Sequence, residues 1–419
     1  MPNNNLINNF SKKEILFFIL LYLSLLMSFY FGENSTGGAI TDYFGQKKVS
    51  EDFARDFEVT LLNYDQYATR HSPILIIILS FFEKLKIPDE LIRLIHLHFC
   101  LILPLIFYFT LKEKYSNVDK KILLLLTGLI FISPTFRSLS IWPDSRLLGL
   151  AFFNLSLLFF IKFEKKKKIN YCYYTIISYA LSSYLSPNFS VFALFFMVKF
   201  FMFYGFKSIN LYLLILSNLI IAFPAFYYVF ILKINFLDKP AGIGIEDTSI
   251  IFRNIYNQIL IIPTVIVFYL LPFLFSNIIK IKFNKQISYI IFSIIIFLIS
   301  INYFDYKFEF TGGGIFFKVS YFIFNNNFLF YGVSLAGIFI VLQIMNNKFY
   351  NFLILFLIIL NNPQETIYHK YFDPFLIITF FLLFDFKTNI ENVKKISNSL
   401  IIYIYFLIFL ILSIMKSYV

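Results

Sequence analysis

Charge is what this chain has least of. Asp, Glu, Lys and Arg make up 14% of its 419 residues, where a soluble globular domain carries roughly a quarter. That shortage excludes an ordinary water-soluble enzyme. Cysteine is nearly absent too: Cys100 and Cys172 each sit in an apolar run and define no disulfide framework. The four histidines are His71, His96, His98 and His369. They form no His-Glu-x-x-His pattern, and His96 and His98 point to different sides of a helix, so no metal cofactor is implied. An acidic external site could still hold a divalent ion, but nothing requires one. The single tryptophan, Trp142, stands at a span end, where a membrane anchor is a better reading than a sugar-stacking ring.

What is present is apolar, at 59% of residues. Runs such as Ile15–Phe31 and Leu400–Met415 approach the roughly 20 residues needed to cross a bilayer core of about 30 Å. The fold class expected is all-α, a polytopic transmembrane helical protein; a barrel would show short alternating strands. The first run follows "SKKE" and lacks a small-residue cleavage site, so it reads as an uncleaved first span. The 60 Phe residues rise together with Ile, Asn and Lys, as in an AT-rich coding genome. The net charge of +12 does not point to nucleic acid, because the lysines cluster between apolar segments, where topology explains them.

Hydropathy places spans near 14–31, 90–111, 121–136, 145–162, 169–186, 189–205, 209–232, 251–275, 287–302, 321–345, 349–361, 369–385 and 397–415. Short loops rich in Lys and Arg stay cytoplasmic. "KFEKKKKIN" (Lys162–Asn170), "LKEKYSNVDKK", "YGFKS", "IKIKFNKQ", "NNKFY" and "DFKTNIENVKK" all fall on that side. The opposite side receives "SIWPDSR", "YLSPNF", "INFLDKPAGIGIEDTS", "FDYKFEFTGGGIFFK" and "NNPQETIYHKYFDP". Pro73–Leu85 is short for a span and reads as a re-entrant or tilted interfacial helix, which leaves about 13 crossings and an external C-terminus. Residues 1–419 form a single integral membrane domain, with 32–72 as the first external loop.

That loop opens on "GGAITDYFGQ" and continues as "VSEDFARDFEVTLLNYDQYATR". Phe53, Phe57, Leu61 and Tyr64 would line the apolar face of one interfacial helix. Asp42 precedes that helix beside a glycine pair that frees the backbone. Arg70 and His71 close the loop at the depth of a lipid head group. On the same side lie Asp144 and Arg146 in "WPDSR", read as an ion pair, a helix start or sugar-binding groups, and Tyr368 and Lys370 in "YHKY". "TGGGIFFK" adds Lys318 after three glycines that could present N–H groups to an anion or simply make a tight turn.

This order resembles the GT-C superfamily of integral-membrane glycosyltransferases, which use polyprenyl-phosphate sugars. A first span leads to an external loop with an early Asp and interfacial helices. "RHSPI" closes that loop where many relatives carry His-Pro-Pro, and about a dozen further spans follow. The resemblance implies that Asp42 is the general base, and that Arg70, His71, Lys370, Tyr368, Asp144, Arg146 and Lys318 bind substrate and phosphate. It implies an enzyme of the bacterial inner membrane whose site faces the periplasm. The donor would be a polyprenyl-phosphate-linked sugar, and the acceptor a glycan, glycolipid or protein hydroxyl, with inversion. The alternatives are a lipid-linked glycan polymerase, a flippase or a transporter. Transporters place charges at the midplane, whereas here they collect in external loops and near span ends, apart from Lys199 in "MVKFF".

Overall fold

The computed structural model describes residues 11–67, 69–236, 254–281, 287–308, 312–346 and 348–418. The expected outer loop Lys233–Ile250 lies beyond Phe236 mostly outside them. The described chain is mostly helical: α1 (Lys12–Tyr30), α2 (Ala39–Arg55), α3 (Phe57–Leu62), α4 (Pro73–Lys84), α5 (Asp89–Cys100), α6 (Ile102–Lys114), α7 (Lys120–Phe131), α8 (Pro134–Ile141), α9 (Ser145–Lys166) and α10 (Ile169–Leu185). After a 3-10 turn follow α11 (Ala193–Tyr204), α12 (Ile209–Phe226), α13 (Ile255–Phe275), α14 (Ile287–Asn302), α15 (Ile315–Phe324), α16 (Phe328–Met345), α17 (Phe349–Leu360), α18 (Phe375–Leu382) and α19 (Ile396–Tyr418). Local sequence sets the starts. Ser11 and Glu14 form a capping box, Asp119, Ser133 and Asn254 cap α7, α8 and α13, and Ser72 caps α4 with Pro73 at its first position.

Among the described residues, eight helical stretches are long and apolar enough to cross a membrane, or nine if α7 and α8, bent by 61° to each other, count as one span. The shorter apolar helices α14, α15 and α17 fall below that length. Expected and observed boundaries differ where the backbone breaks. The span expected at 321–345 is two helices, because Asn325 takes a left-handed conformation (φ 49°) and ends α15. The span expected at 369–385 begins as a 3-10 turn, His369–Tyr371, with helix only from Phe375. The interfacial helix expected in the first loop is broken at Asp56, whose carboxylate accepts from Val59 N and starts α3. Phe53 and Tyr64 are buried while Phe57 is exposed.

Helix α9 sets the long axis, running about 33 Å at 1.5 Å per residue. It packs along α6 and α10, and α13 packs against α16. At its far end Lys165 donates to the Glu113 carbonyl, Lys199 pairs with Glu164 at 3.3 Å, and Lys114 donates to the Leu382 carbonyl at 3.0 Å. There too Lys348 meets Asp385 at 3.0 Å, beside a two-residue antiparallel pairing of Ile279–Lys280 with Lys387–Thr388. This is the lysine end, and α9 starts at the other, with Asp144. Helix α4 stays near that other end: its Ile76 packs with Val49 of α2, and Asp89, opening α5, accepts from Lys47 of α2 at 3.0 Å. Only 6% of the α12 span is buried, so an almost wholly apolar helix is left for lipid to cover.

Candidate functional site

At the end opposite the lysines, the first turn of α2, the loop before α4, the start of α9 and the 368–371 turn converge on a cleft of about 370 Å³. Asp42 lies in that first turn of α2 rather than ahead of the helix, where the unpaired N–H groups favour a carboxylate. Gly37, at φ +77°, makes the preceding turn. Asp42 Oδ2 accepts from Lys370 Nζ at 2.6 Å. Burial pushes the Asp42 carboxyl up, but Lys370 and then His71 outweigh it and leave it below its ordinary value. Burial opposes the Lys370 ammonium too, yet Asp42, Tyr371 and Asp144 hold it above the ordinary lysine value.

Arg146 explains why Lys370 sits there. Its guanidinium donates to the Lys370 carbonyl at 2.8 Å and the Tyr371 carbonyl at 2.6 Å, and lies 4.1 Å over the Tyr371 ring. Neighbouring Asp144 accepts from the Arg146 backbone N–H at 2.7 Å and so caps α9, which makes it a helix start rather than half of an Asp144–Arg146 ion pair. His71 is presented by a loop pinned through its own carbonyl, which accepts from Tyr64 Oη at 2.9 Å, and through Ser72, which donates to the Tyr184 carbonyl.

The cleft thus gathers Asp42, Arg70, His71, Asp144, Arg146, Tyr368 and Lys370 from distant parts of the chain. Lys318 is placed elsewhere: its ammonium donates to the Phe308 carbonyl and lies 4.4 Å over the Phe308 ring. The glycines before it do not line the cleft either. Gly313 N donates to the Ile367 carbonyl at 2.9 Å, which anchors the segment leading into the 368–371 turn. A Cβ on Gly312, at φ +96°, would stand 2.4 Å from that carbonyl oxygen. Gly312→Ala should therefore lower stability by about 2 kcal/mol. Thermal unfolding in detergent checks it, with Gly332→Ala in α16, where a new Cβ meets nothing within 4 Å, expected to leave the melting temperature unchanged or raised.

Trp142 anchors protein rather than lipid. It is buried, donates from Nε1 to the Glu33 carbonyl at 3.0 Å, and carries the Arg93 guanidinium 3.5 Å over its ring. Asn188, Gln364, Thr366 and Tyr371 also line the cleft. Their sequence signal was weak, being their place in the "YLSPNF" and "NNPQETIYHKY" loops. Behind the cleft, buried Asp373 accepts from Ser133 Oγ at 2.6 Å and Thr135 N at 2.9 Å. Burial pushes its carboxyl up to about 6, although those hydrogen bonds pull it down. The folded protein therefore holds this proton to a higher pH than the unfolded chain, whose value is near 3.8. The contribution is complete below the unfolded value and lost as pH rises through the folded one. Asp373→Asn should remove about 1 kcal/mol of the stability loss between about pH 5 and about pH 7, as read from unfolding at both.

One ligand atom each from Asp42, His71 and Asp144 lies within 4.8 Å of the others, close enough to share a divalent ion. Lys370 already holds one oxygen of Asp42, so an ion there would compete with it. Without one, the cleft offers a carboxylate to take a proton and Lys370 and Arg70 to face an anion, with Arg146 holding the turn that carries Lys370. Its volume is within the range of small-molecule sites. No protein-family model and no curated protein matches this chain. Fold and site define a class nonetheless: a multi-pass helical membrane protein with a polar cleft at one end of its bundle.

Proposed function

We propose that this protein is a glycosyltransferase that moves a sugar from a polyprenyl-phosphate carrier to an acceptor hydroxyl. The observation that carries this reading is the Asp42–Lys370 pair in a cleft shared with Arg70 and Arg146, at the bundle end away from the lysine clusters. By the positive-inside rule the lysine end is cytoplasmic, so the cleft faces outward. Asp42 takes the proton from the acceptor hydroxyl as its oxygen bonds the anomeric carbon. The bond from that carbon to the phosphate oxygen breaks, and its electron pair leaves with the polyprenyl phosphate. Lys370 and Arg70 take up the charge that develops on that oxygen. Arg146 acts through the turn it holds. Attack from the face opposite the leaving group inverts the anomeric centre.

The product would be a surface glycan, glycolipid or glycoprotein. The test is mass spectrometry of surface glycans and glycolipids from a strain lacking this chain. One sugar mass should be missing and return with the wild-type chain. If no glycan changes in either strain, the reading fails and transport becomes the better account.

A further inference from the structure

Asp42, as it stands, is a poor base, because its Oδ2 is held by an ammonium 2.6 Å away. A carboxylate paired this closely has little tendency to take a proton. The pair is only partly shielded, with 17% of the Lys370 side chain and 31% of the Asp42 side chain exposed, so an ion arriving in the cleft can reach it. The cations around it are not equally mobile. Arg146 is committed to two backbone carbonyls and a ring, and those contacts fix the backbone of the turn rather than the Lys370 side chain. Lys370 has a flexible four-carbon stem and a point charge without fixed geometry. The Tyr368 ring lies 5.5 Å from Nζ while the pair is closed, a contact too loose to lock the ammonium in place.

We propose that the Asp42–Lys370 pair is an interlock opened by a phosphate group: the anion draws Lys370 away from Asp42, and only then is Asp42 free to act as a base. This rests on the glycosyl-transfer reading of the cleft. It orders the reaction, with the phosphate-bearing donor binding before the acceptor hydroxyl is activated. It also keeps Asp42 from activating water while no donor is bound. The ligand chemistry is a phosphate monoester or diester, from a lipid head group or from free phosphate.

The interlock predicts that removing the carboxylate strengthens binding. The detergent-solubilised full chain is titrated calorimetrically with farnesyl phosphate, farnesol and inorganic phosphate, as wild type, Asp42→Asn, Asp42→Ala and Lys370→Gln. Both Asp42 variants should bind farnesyl phosphate about three- to tenfold more tightly than wild type, because Lys370 no longer has to leave a charged carboxylate. Lys370→Gln should bind it about tenfold more weakly than wild type. Farnesol should bind all four proteins alike. Farnesyl phosphate binding more tightly than inorganic phosphate identifies the lipid-linked source, and equal binding identifies the free anion.

Unchanged or weaker farnesyl phosphate binding in both Asp42 variants overturns the interlock. A requirement for added Mn2+, lost in the Asp42 variants, also overturns it, in favour of an ion bridged by Asp42, His71 and Asp144. If no protein prefers farnesyl phosphate to farnesol, the glycosyl-transfer reading itself fails. If the Asp42 variants bind more tightly but no glycan depends on the chain, the interlock stands and only the reaction is misassigned.

Discussion

Asp42→Asn should lower sugar transfer by about 10²- to 10⁴-fold, the usual worth of a positioned general base. Asparagine keeps the size of the side chain and an oxygen for Lys370, so the cleft stays assembled, but the amide cannot take the acceptor proton. In the strain lacking this chain, the wild-type gene returns the missing sugar mass and Asp42→Asn does not, at equal protein levels. Paired with the binding titration, this variant would hold its donor more tightly and transfer its sugar far more slowly. That combination separates a base from a residue that merely binds. Full restoration by Asp42→Asn would make Asp42 only a favourable charge in the first turn of α2, and the base would have to be sought elsewhere.

The second large effect is on stability and comes from the junction of α1 and α8. Arg137 and Glu33 form an ion pair at 2.9 Å with both side chains almost fully buried. The Arg137 guanidinium also donates to the Ser24 carbonyl and Ser24 Oγ, each at 3.1 Å, and to Ser28 Oγ. It ties α8 to the end of α1, and Glu33 in turn accepts from Ser35 Oγ at 2.9 Å. Arg137→Leu strands the Glu33 carboxylate in a buried site, which typically costs about 3–5 kcal/mol. The expected result is a sharp fall in folded protein, read as monodisperse protein after detergent extraction and as the unfolding temperature. Replacing Glu33 by Leu as well removes the stranded charge and should recover most of the loss. A single variant as stable as wild type would show that the pair contributes little.

The span count shows how far hydropathy reaches. A run of apolar residues marks a helix suited to lipid wherever it occurs, so the class, the helices and the lysine-rich end are legible one segment at a time. It does not mark where a helix stops inside such a run. Asn325 divides α15 from α16 by a backbone conformation that no apolar average registers. Asp56 breaks the first-loop helix because it caps α3, a local choice that outweighs the apolar spacing of Phe53, Phe57 and Leu61.

The sequence by itself determined that this is a multi-pass helical protein with its lysines at one end, because burial in lipid is decided segment by segment. It also placed Asp42, Arg70, His71, Asp144, Arg146, Tyr368 and Lys370 in loops assigned to one side. Only the tertiary structure decided what they do to one another. Asp42 and Lys370 are separated by 328 positions along the chain and meet at 2.6 Å. Of the readings open for Asp144 and Arg146, two positions apart, the structure takes the helix start and not the ion pair, because one caps α9 while the other reaches across to the carbonyls of the 368–371 turn. Lys318 and Trp142 carry the right chemistry for a site yet serve the packing of their surroundings. Pairing among polar groups depends on which helix ends the packed bundle brings within hydrogen-bond reach, and no local pattern of residues carries that information.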